Sequence, residues 1–188
     1  MKRLSNWIQK ISKGWVVLIT LVIFVFFAAL VLPLQAIHAD GTMGSGWTPD
    51  LSFYYTGDDL NQLAYTIGEY GRASYIKARF TFDLIWPLVY SVFLITGISW
   101  LFRKEFSPGS VWQLSNLVPL LGILFDYLEN IATSLVMARY PTPTGILAGL
   151  APIFTMLKWI FVGGSFLLLF VGIAVGVGKI IGKKIRTA

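Results

Sequence analysis

The chain has 188 residues, of which 56% are hydrophobic and 13% are charged, with 15 Lys and Arg against 9 Asp and Glu. A mean hydropathy of +0.71 excludes an ordinary soluble domain of this size and indicates a protein embedded in a bilayer. The absence of cysteine excludes disulfides and thiolate metal sites, and the basic residues flank apolar runs instead of forming a solvated patch, so we predict no nucleic-acid partner.

Four apolar runs are long enough to cross a bilayer, which requires roughly 20 residues. The predicted spans cover about 15–34, 82–102, 117–138 and 151–178. We therefore expect one all-α transmembrane domain over residues 1–188, a four-helix bundle with an outer loop and an amphipathic helix at about 35–81. No internal repeat is visible, which gives no support to an inverted-repeat transporter.

The first run, Trp15 to Leu34, has no charged residue and follows four basic residues. It begins like a signal peptide, but its apolar part is longer than the roughly 7–15 residues typical of a signal-peptide core. We interpret it as a retained anchor that ends at Pro33. The segment HADGTMGSGWTPD, residues 38–50, is predicted to be loop.

The basic residues predict the orientation, because short cytoplasmic segments retain Lys and Arg. Ten of the 15 basic residues precede the first span or follow the second and fourth. We therefore predict a multi-pass protein of the plasma (cytoplasmic) membrane with both termini cytoplasmic. Residues 35–81 then lie on the outer side.

An amphipathic helix is predicted between the first two spans. Thr56 and Asp58 are candidate N-caps, and apolar or aromatic residues follow at helical spacing, namely Leu60, Leu63, Ala64, Ile67 and Tyr70. Gly68 and Gly71 are expected to bend or end this helix. A second helical stretch would begin at Arg72 and run without a break into the second span.

The third span carries Asp126, Glu129 and Asn130 in an otherwise apolar run, where an ionised carboxylate is costly. Their i, i+3, i+4 spacing places all three on one helix face. On the fourth span, Lys158 is predicted to lie at the outer interface, about twenty residues before Lys179. These polar groups therefore converge in the outer half of the bundle.

The second span adds a polar stripe at helical spacing, made of Arg72, Tyr75, Arg79, Asp83, Pro87 and Tyr90. Pro87 and Pro119 both fall inside predicted spans, where a missing N–H kinks the helix or helps to form a pocket wall. Acids and bases on facing helices would pair with each other, which makes their burial tolerable.

This pattern gives the candidate site. Asp126, Glu129 and Asp83 are candidate catalytic residues for proton transfer, since ionisable residues within spans usually mark a functional path. The candidate ligand-binding residues are Arg72, Tyr75, Arg79, Tyr90, Asn130 and Lys158. With one His and no Cys we predict no metal site, and without a P-loop or dinucleotide fingerprint we predict no cofactor.

Three functions remain open on these residues. The first is an outward-facing pocket that binds, and in an enzyme transforms, a membrane lipid or amphiphilic small molecule. The second is a structural or regulatory subunit, in a homo-oligomer or membrane complex, whose polar groups only stabilise the bundle. The third is ion or proton transport, but the inner half of the second span offers only Ser91, Thr96 and Ser99 as a route to the cytoplasm.

The sequence reads GEYGRASYIKARFTFDLIWPLVY, then PLLGILFDYLENI, then RYP and LKW. In this order it resembles a widespread group of uncharacterised bacterial four-span membrane proteins, in which a G-x-x-G-R-x-x-Y segment precedes a D-x-x-x-P-x-x-Y span. The likeness covers roughly residues 56–159 and includes the D-x-x-E-N and L-K-W segments. It implies the four-span architecture and a bacterial inner membrane, and it implies no reaction. The matching residues are Gly68, Gly71, Arg72, Tyr75, Asp83, Pro87, Tyr90, Asp126, Glu129, Asn130, Tyr140, Pro141, Lys158 and Trp159.

Overall fold

The computed structural model describes residues 1–43 and 48–187, and every regular element in these ranges is helical. This confirms the predicted all-α fold. The α-helices are α1 (Lys2–Ile11), α2 (Gly14–Phe26), α3 (Leu32–Met43), α4 (Gly57–Thr66), α5 (Gly68–Arg79), α6 (Phe82–Glu105), α7 (Val118–Arg139) and α8 (Gly145–Thr187). A π-helical turn covers Phe27–Val31, and 3₁₀ turns cover Pro49–Leu51 and Val111–Leu117.

Four helical stretches are long and apolar enough to cross a membrane, so the chain is a multi-pass membrane protein. They are Gly14–Ile37, Gly68–Glu105, Val111–Arg139 and Gly145–Ile185. Each is longer than the apolar run predicted from the sequence. The difference arises because helical hydrogen bonding continues through polar residues beyond the ends of an apolar run.

Helices α6, α7 and α8 form the centre of the bundle, and α2 packs mainly on α6. Thr20 of α2 places its hydroxyl 2.9 Å from that of Thr96, and Phe24 stacks on Phe93 with ring centroids 4.9 Å apart. None of the most apolar window of the first span is buried. The first span therefore lies at the edge of the bundle.

The two ends of the bundle differ in what covers them. At one end, here called the loop end, α4 packs against α7 and α8, and the 3₁₀ turn Pro49–Leu51 packs against α8. At the other, the terminal end, α1 packs against α6 and the 3₁₀ turn Val111–Leu117. The polar residues singled out in the spans lie toward the loop end.

The prediction that the first span ends at Pro33 is wrong, because the helix α3 continues to Met43. The proline is the second residue of α3, and only Leu32 separates it from the π turn Phe27–Val31. Proline breaks a regular helix through its missing N–H and a clash with the carbonyl four residues earlier, and the wider π turn relieves both. The loop predicted for residues 38–50 is therefore wrong for 38–43, while 44–47 lie outside the described residues.

The predicted start of the amphipathic helix is confirmed at Thr56. Its hydroxyl accepts from the Asp59 amide at 3.2 Å, while the Asp59 carboxylate accepts from the Thr56 amide at 2.8 Å, which completes a capping box. Leu60 and Leu63 are buried as predicted, whereas Tyr70 is 75% exposed, contrary to its predicted place on the apolar face.

The break between α4 and α5 falls at Gly68, one of the two glycines at which it was predicted. Gly68 has a φ of 64°, a left-handed conformation that favours glycine. The second helical stretch thus begins at Gly68 and not at Arg72. The predicted unbroken helix is wrong as well, because the candidate span Gly68–Glu105 is interrupted between α5 and α6 at Thr81, whose hydroxyl donates to the Lys77 carbonyl at 2.7 Å.

The two span prolines have different positions. Pro87 is buried inside α6, as predicted. Pro119 lies in the first turn of α7, preceded by the 3₁₀ turn Val111–Leu117. A proline is readily accommodated there because the first-turn amides have no helical partner, so the predicted kink at Pro119 is wrong.

The terminal end holds a buried polar network that the sequence did not predict. The Ser5 hydroxyl on α1 lies 2.8 Å from both the Gln113 carbonyl and the Asn116 side-chain oxygen. Asn116 also donates to the Ser99 hydroxyl at 2.9 Å, and the Gln9 amide donates to the Gln113 carbonyl at 2.9 Å. These bonds fix α1 against the 3₁₀ turn Val111–Leu117 and, through Ser99, α6.

Candidate functional site

Polar side chains from four helices and one loop meet near the loop end. We call this set the polar cluster; its members are Asp50, Arg79, Asp83, Tyr90, Asp126, Glu129, Asn130 and Lys158. All but Asp50 and Asp83 are buried. The cluster brings together seven of the nine residues predicted for the site, from α5, α6, α7 and α8.

Glu129 and Lys158 form the most deeply buried ion pair of the cluster. The Lys158 ammonium lies 2.6 Å from Glu129 Oε2, and the two residues are 5% and 1% exposed respectively. The pair joins α7 to α8 along their packed faces. The second carboxylate oxygen of Glu129 is buried without a hydrogen-bond donor among the described residues.

Arg79, at the end of α5, connects the loop to α6 and α7. Its guanidinium donates to Asp83 at 2.8 Å and, through the other terminal nitrogen, to Asp50. It also lies 3.5 Å from the Asn130 side-chain oxygen and sits over the Tyr75 ring at 4.4 Å. The fork of donors in one arginine suits several oxygen partners at once.

Asp126 differs from the other acids of the cluster because its partners are neutral. The Tyr90 hydroxyl donates to one carboxylate oxygen at 2.9 Å, and the Asn130 amide donates to the other at 3.2 Å. Within the described part of the chain, no ion pair forms at this carboxyl group. The direct contacts of the Asp126 carboxyl group are therefore hydrogen bonds from neutral donors.

Asp50 is the member of the cluster that sequence reasoning missed. It lies on the 3₁₀ turn Pro49–Leu51 and contacts Arg79 through one carboxylate oxygen and Lys158, at 3.5 Å, through the other. Burial alone would raise the pKa of Asp50, but the two cations hold it well below its usual range. The sequence shows only an acid after a proline in an outer segment, with no periodicity to place it.

Tyr55, also missed, lies beside the cluster in the buried core near α4 and α8. Its hydroxyl is 3.2 Å from the Thr155 hydroxyl, one turn before Lys158. Burial, together with the nearby Glu129 carboxylate, raises the pKa of Tyr55. The phenol is therefore neutral at physiological pH and remains a hydrogen-bond donor next to the ion pairs.

The cluster contains more acids than bases. Four carboxyl groups, those of Asp50, Asp83, Asp126 and Glu129, face two cations, Arg79 and Lys158. Fully ionised, the set would carry a charge of minus two (four minus two). A buried excess of negative charge favours the binding of protons, so the arrangement is suited to holding and transferring them.

Arg72 and Tyr75 are the two predicted site residues outside the cluster. Arg72 donates to the Ala64 carbonyl at 2.8 Å and lies over the Tyr140 ring at 4.9 Å, where it connects α5 to the end of α4. The prediction that Arg72 binds the ligand is therefore not supported by its position. Tyr75 is buried beneath the Arg79 guanidinium and supports that side chain.

No chain of hydrogen bonds joins the polar cluster to the network at the terminal end within the residues described. Beyond Tyr90, α6 packs Phe93, Leu94 and Ile98 against apolar residues of α8. The buried hydroxyls of Ser91 and Thr96 on the same helix bond to backbone carbonyls. The polar cluster is therefore a one-sided feature of the bundle, reached from the loop end.

Comparisons with known proteins returned no match: no protein-family model, no curated protein and no solved structure corresponds to this chain. The resemblance to four-span bacterial membrane proteins stays a prediction. The function is accordingly argued from the geometry of the polar cluster.

Proposed function

We propose that this protein binds the anionic end of a membrane lipid or amphiphilic small molecule at Arg79 and Lys158. One observation carries the proposal: the two buried cations come from different spans, yet a single carboxylate, that of Asp50, contacts both. Their spacing therefore matches one oxyanion with two oxygens. Arginine and lysine together are the usual partners of phosphate and carboxylate groups.

The surroundings of the cluster favour an amphiphile over a soluble anion. Next to Asp83, the α6 residues Leu84 and Ile85 are 40% and 50% exposed on a face suited to lipid. Further along α6, an open apolar cleft of about 200 Å³ lies against α2, lined by Thr20, Ile23, Leu88, Val89 and Val92. A ligand with its head at Arg79 would lay its tail along this apolar surface.

The carboxyl groups supply proton transfer if the bound molecule is transformed. Asp126 and Glu129 lie one helical turn apart on α7. Asp126, held by neutral donors, and Glu129, held by Lys158, are in different electrostatic environments, an arrangement typical of an acid and base pair. Asp83 pairs with Arg79 and is better placed to orient that guanidinium than to carry protons.

We place the polar cluster in the outer half of the plasma membrane, with both termini cytoplasmic. The support is the distribution of exposed basic side chains, which concentrate at the terminal end. They are Lys2, Arg3, Lys10, Lys13, Arg103, Lys104, Lys179, Lys183 and Lys184. The resemblance noted above suggests that this membrane is a bacterial inner membrane.

A second candidate function is structural, and one observation favours it. Each charged group in the chain from Asp83 through Arg79 and Asp50 to Lys158 and Glu129 already has an ionic partner within the protein. Such a closed set would fix the register of the spans without any ligand. In that case the protein acts as a structural or regulatory membrane subunit.

Lipid retention distinguishes the two functions. The protein is purified in a mild detergent and examined by native mass spectrometry, alongside Arg79→Gln and the control Lys77→Gln, which removes an exposed charge from the same helix. The proposal expects an anionic lipid on the wild type and on Lys77→Gln, and about tenfold less on Arg79→Gln. Thermal unfolding of Arg79→Gln checks that loss of lipid is not due to misfolding. Absence of lipid from every form would favour the structural function.

A further inference from the structure

The carboxylate of Asp50 occupies the position that the proposed ligand would take, between Arg79 and Lys158. We propose that Asp50 is a built-in substitute anion, and that a ligand with a terminal phosphate or carboxylate binds by displacing it. This inference rests on the proposed function, and it adds a competitor and a ligand class to that site. It predicts that the free protein holds its own anion site closed.

Exposure distinguishes Asp50 from its partners. Its side chain is 36% exposed, whereas those of Arg79 and Lys158 are 6% exposed. It is also the one member of the polar cluster that comes from a loop and not from a span. An anion arriving from the loop end therefore meets Asp50 before it meets either cation.

Displacement of Asp50 leaves no cation without a partner. Arg79 keeps its ion pair with Asp83 at 2.8 Å, and Lys158 keeps Glu129 at 2.6 Å. A buried charge that loses its counter-ion is strongly unfavourable, but here each cation has a fixed carboxylate on a helix in addition to Asp50. The exchange of one carboxylate for another anion is thus permitted by the remaining contacts.

The turn that carries Asp50 is anchored, so the exchange requires a change of side-chain rotamer only. Pro49 is buried, and its carbonyl accepts from the Ser52 amide at 3.0 Å. Tyr55, a few residues later, is 3% exposed in the core beneath α4. Rotation of Asp50 about its side-chain bonds would carry the carboxylate toward solvent without unfolding the turn.

Charge sets the class of ligand that can compete. Because the two cations keep the pKa of Asp50 low against the effect of burial, the carboxylate stays ionised at physiological pH. Because Asp50 belongs to the same chain as the two cations, it competes with a free ligand at an effective concentration of roughly millimolar. A phosphate monoester offers more charge and more oxygens than Asp50, whereas a zwitterionic head offers no net charge. The ligand is therefore an amphiphile with a terminal oxyanion.

Removing the substitute anion should strengthen binding. Dodecyl phosphate in micelles of a neutral detergent is titrated into wild type, Asp50→Asn, Asp50→Ala and the control Asp58→Asn, which removes an exposed charge from α4. We expect about tenfold tighter binding by both Asp50 variants and unchanged binding by Asp58→Asn. The Asn side chain can still bond to Arg79 through its amide oxygen and so occupy part of the anion site. The Ala side chain cannot, so Asp50→Ala tests displacement without this competition. Thermal unfolding confirms that each variant is folded.

The outcomes separate this inference from the proposed function. If wild type binds dodecyl phosphate and neither Asp50 variant binds it more tightly, displacement is overturned while the proposed function stands. If no form binds the probe, both are overturned. A parallel titration with inorganic phosphate tests whether the ligand needs a lipid tail. If the Asp50 variants bind both dodecyl phosphate and inorganic phosphate more tightly than the wild type does, displacement is supported. If the affinities for the two probes are also equal, the requirement for a lipid tail is overturned.

Discussion

The Lys158 ammonium lies 2.6 Å from the Glu129 carboxylate, and the pair joins the third and fourth spans where neither residue has appreciable exposure. Two charges in such a place stabilise each other only while both are present. The pair therefore fixes α7 against α8 and also determines where Lys158 can meet a ligand.

A double-mutant cycle tests this coupling. Lys158→Met alone should lower the free energy of unfolding by about 3 kcal/mol, because it leaves the buried Glu129 carboxylate without a cation. Glu129→Gln should lower it by less, because Lys158 keeps its 3.5 Å contact with Asp50. The double variant should lose less than the sum of the two. Unfolding by denaturant in detergent measures the effect. The pair Glu105 and Lys179, 3.0 Å apart, is the control, because its lysine is 58% exposed and water screens the charge, and it should couple by less than about 1 kcal/mol. Equal coupling in the two pairs would contradict the burial argument.

The hydroxyl of Tyr90 should contribute more to the free energy of unfolding than that of Tyr127. Tyr90→Phe removes one of two donors to the buried Asp126 carboxylate and should lower the free energy of unfolding by about 2 kcal/mol. Tyr127→Phe removes a bond to the Leu84 carbonyl, 2.8 Å long, and a bond between two neutral groups contributes less than a bond to a carboxylate. We expect a loss below about 1 kcal/mol there. A loss in Tyr127→Phe as large as that in Tyr90→Phe would contradict this order.

Helical periodicity explains which parts of the site were predictable. Asp126, Glu129 and Asn130 share one face of α7 because i, i+3 and i+4 positions are neighbours in any helix, and the structure confirms this. Arg79 and Asp83 meet for the same reason, across a helix break. The apolar runs likewise predicted the four spans, since length and hydropathy alone decide whether a helix can cross a bilayer.

Tertiary contacts account for what the sequence could not predict. Asp50 reaches Arg79 and Lys158 through a turn whose path depends on the packing of Pro49, and no spacing in the sequence indicates that path. The helix α1 is short and polar, and its stability comes from Ser5 and its partners across the bundle. Helical rise predicts depth but not rotation, so it could not show that Lys158 would pair with Glu129.

The effect of pH on Asp50 has a definite sign. Burial opposes ionisation of Asp50, but the two cations lower its pKa in the folded protein below the unfolded value of about 3.9. Above the unfolded pKa, the ionised carboxylate therefore stabilises the fold. This contribution is lost as pH falls through the folded pKa. The difference in Tm between wild type and Asp50→Asn should therefore shrink as pH falls below about pH 4. A difference that stayed the same or grew below that pH would contradict this.

Arg72 should affect stability and not lipid binding. Arg72→Gln removes the bond to the Ala64 carbonyl and the contact with the Tyr140 ring, which should lower the free energy of unfolding by about 1 kcal/mol. Retention of anionic lipid in native mass spectra should equal that of the wild type. Loss of lipid in a folded Arg72→Gln variant would restore the binding role predicted from the sequence.

The most direct test of the proposed anion site is an experimental density map of the protein with dodecyl phosphate in a neutral lipid nanodisc. We expect a phosphate between Arg79 and Lys158, with the Asp50 carboxylate turned away from both and the dodecyl chain along the apolar surface of α6. A map obtained under saturating probe that shows Asp50 still bridging the two cations, with phosphate elsewhere or absent, would contradict it.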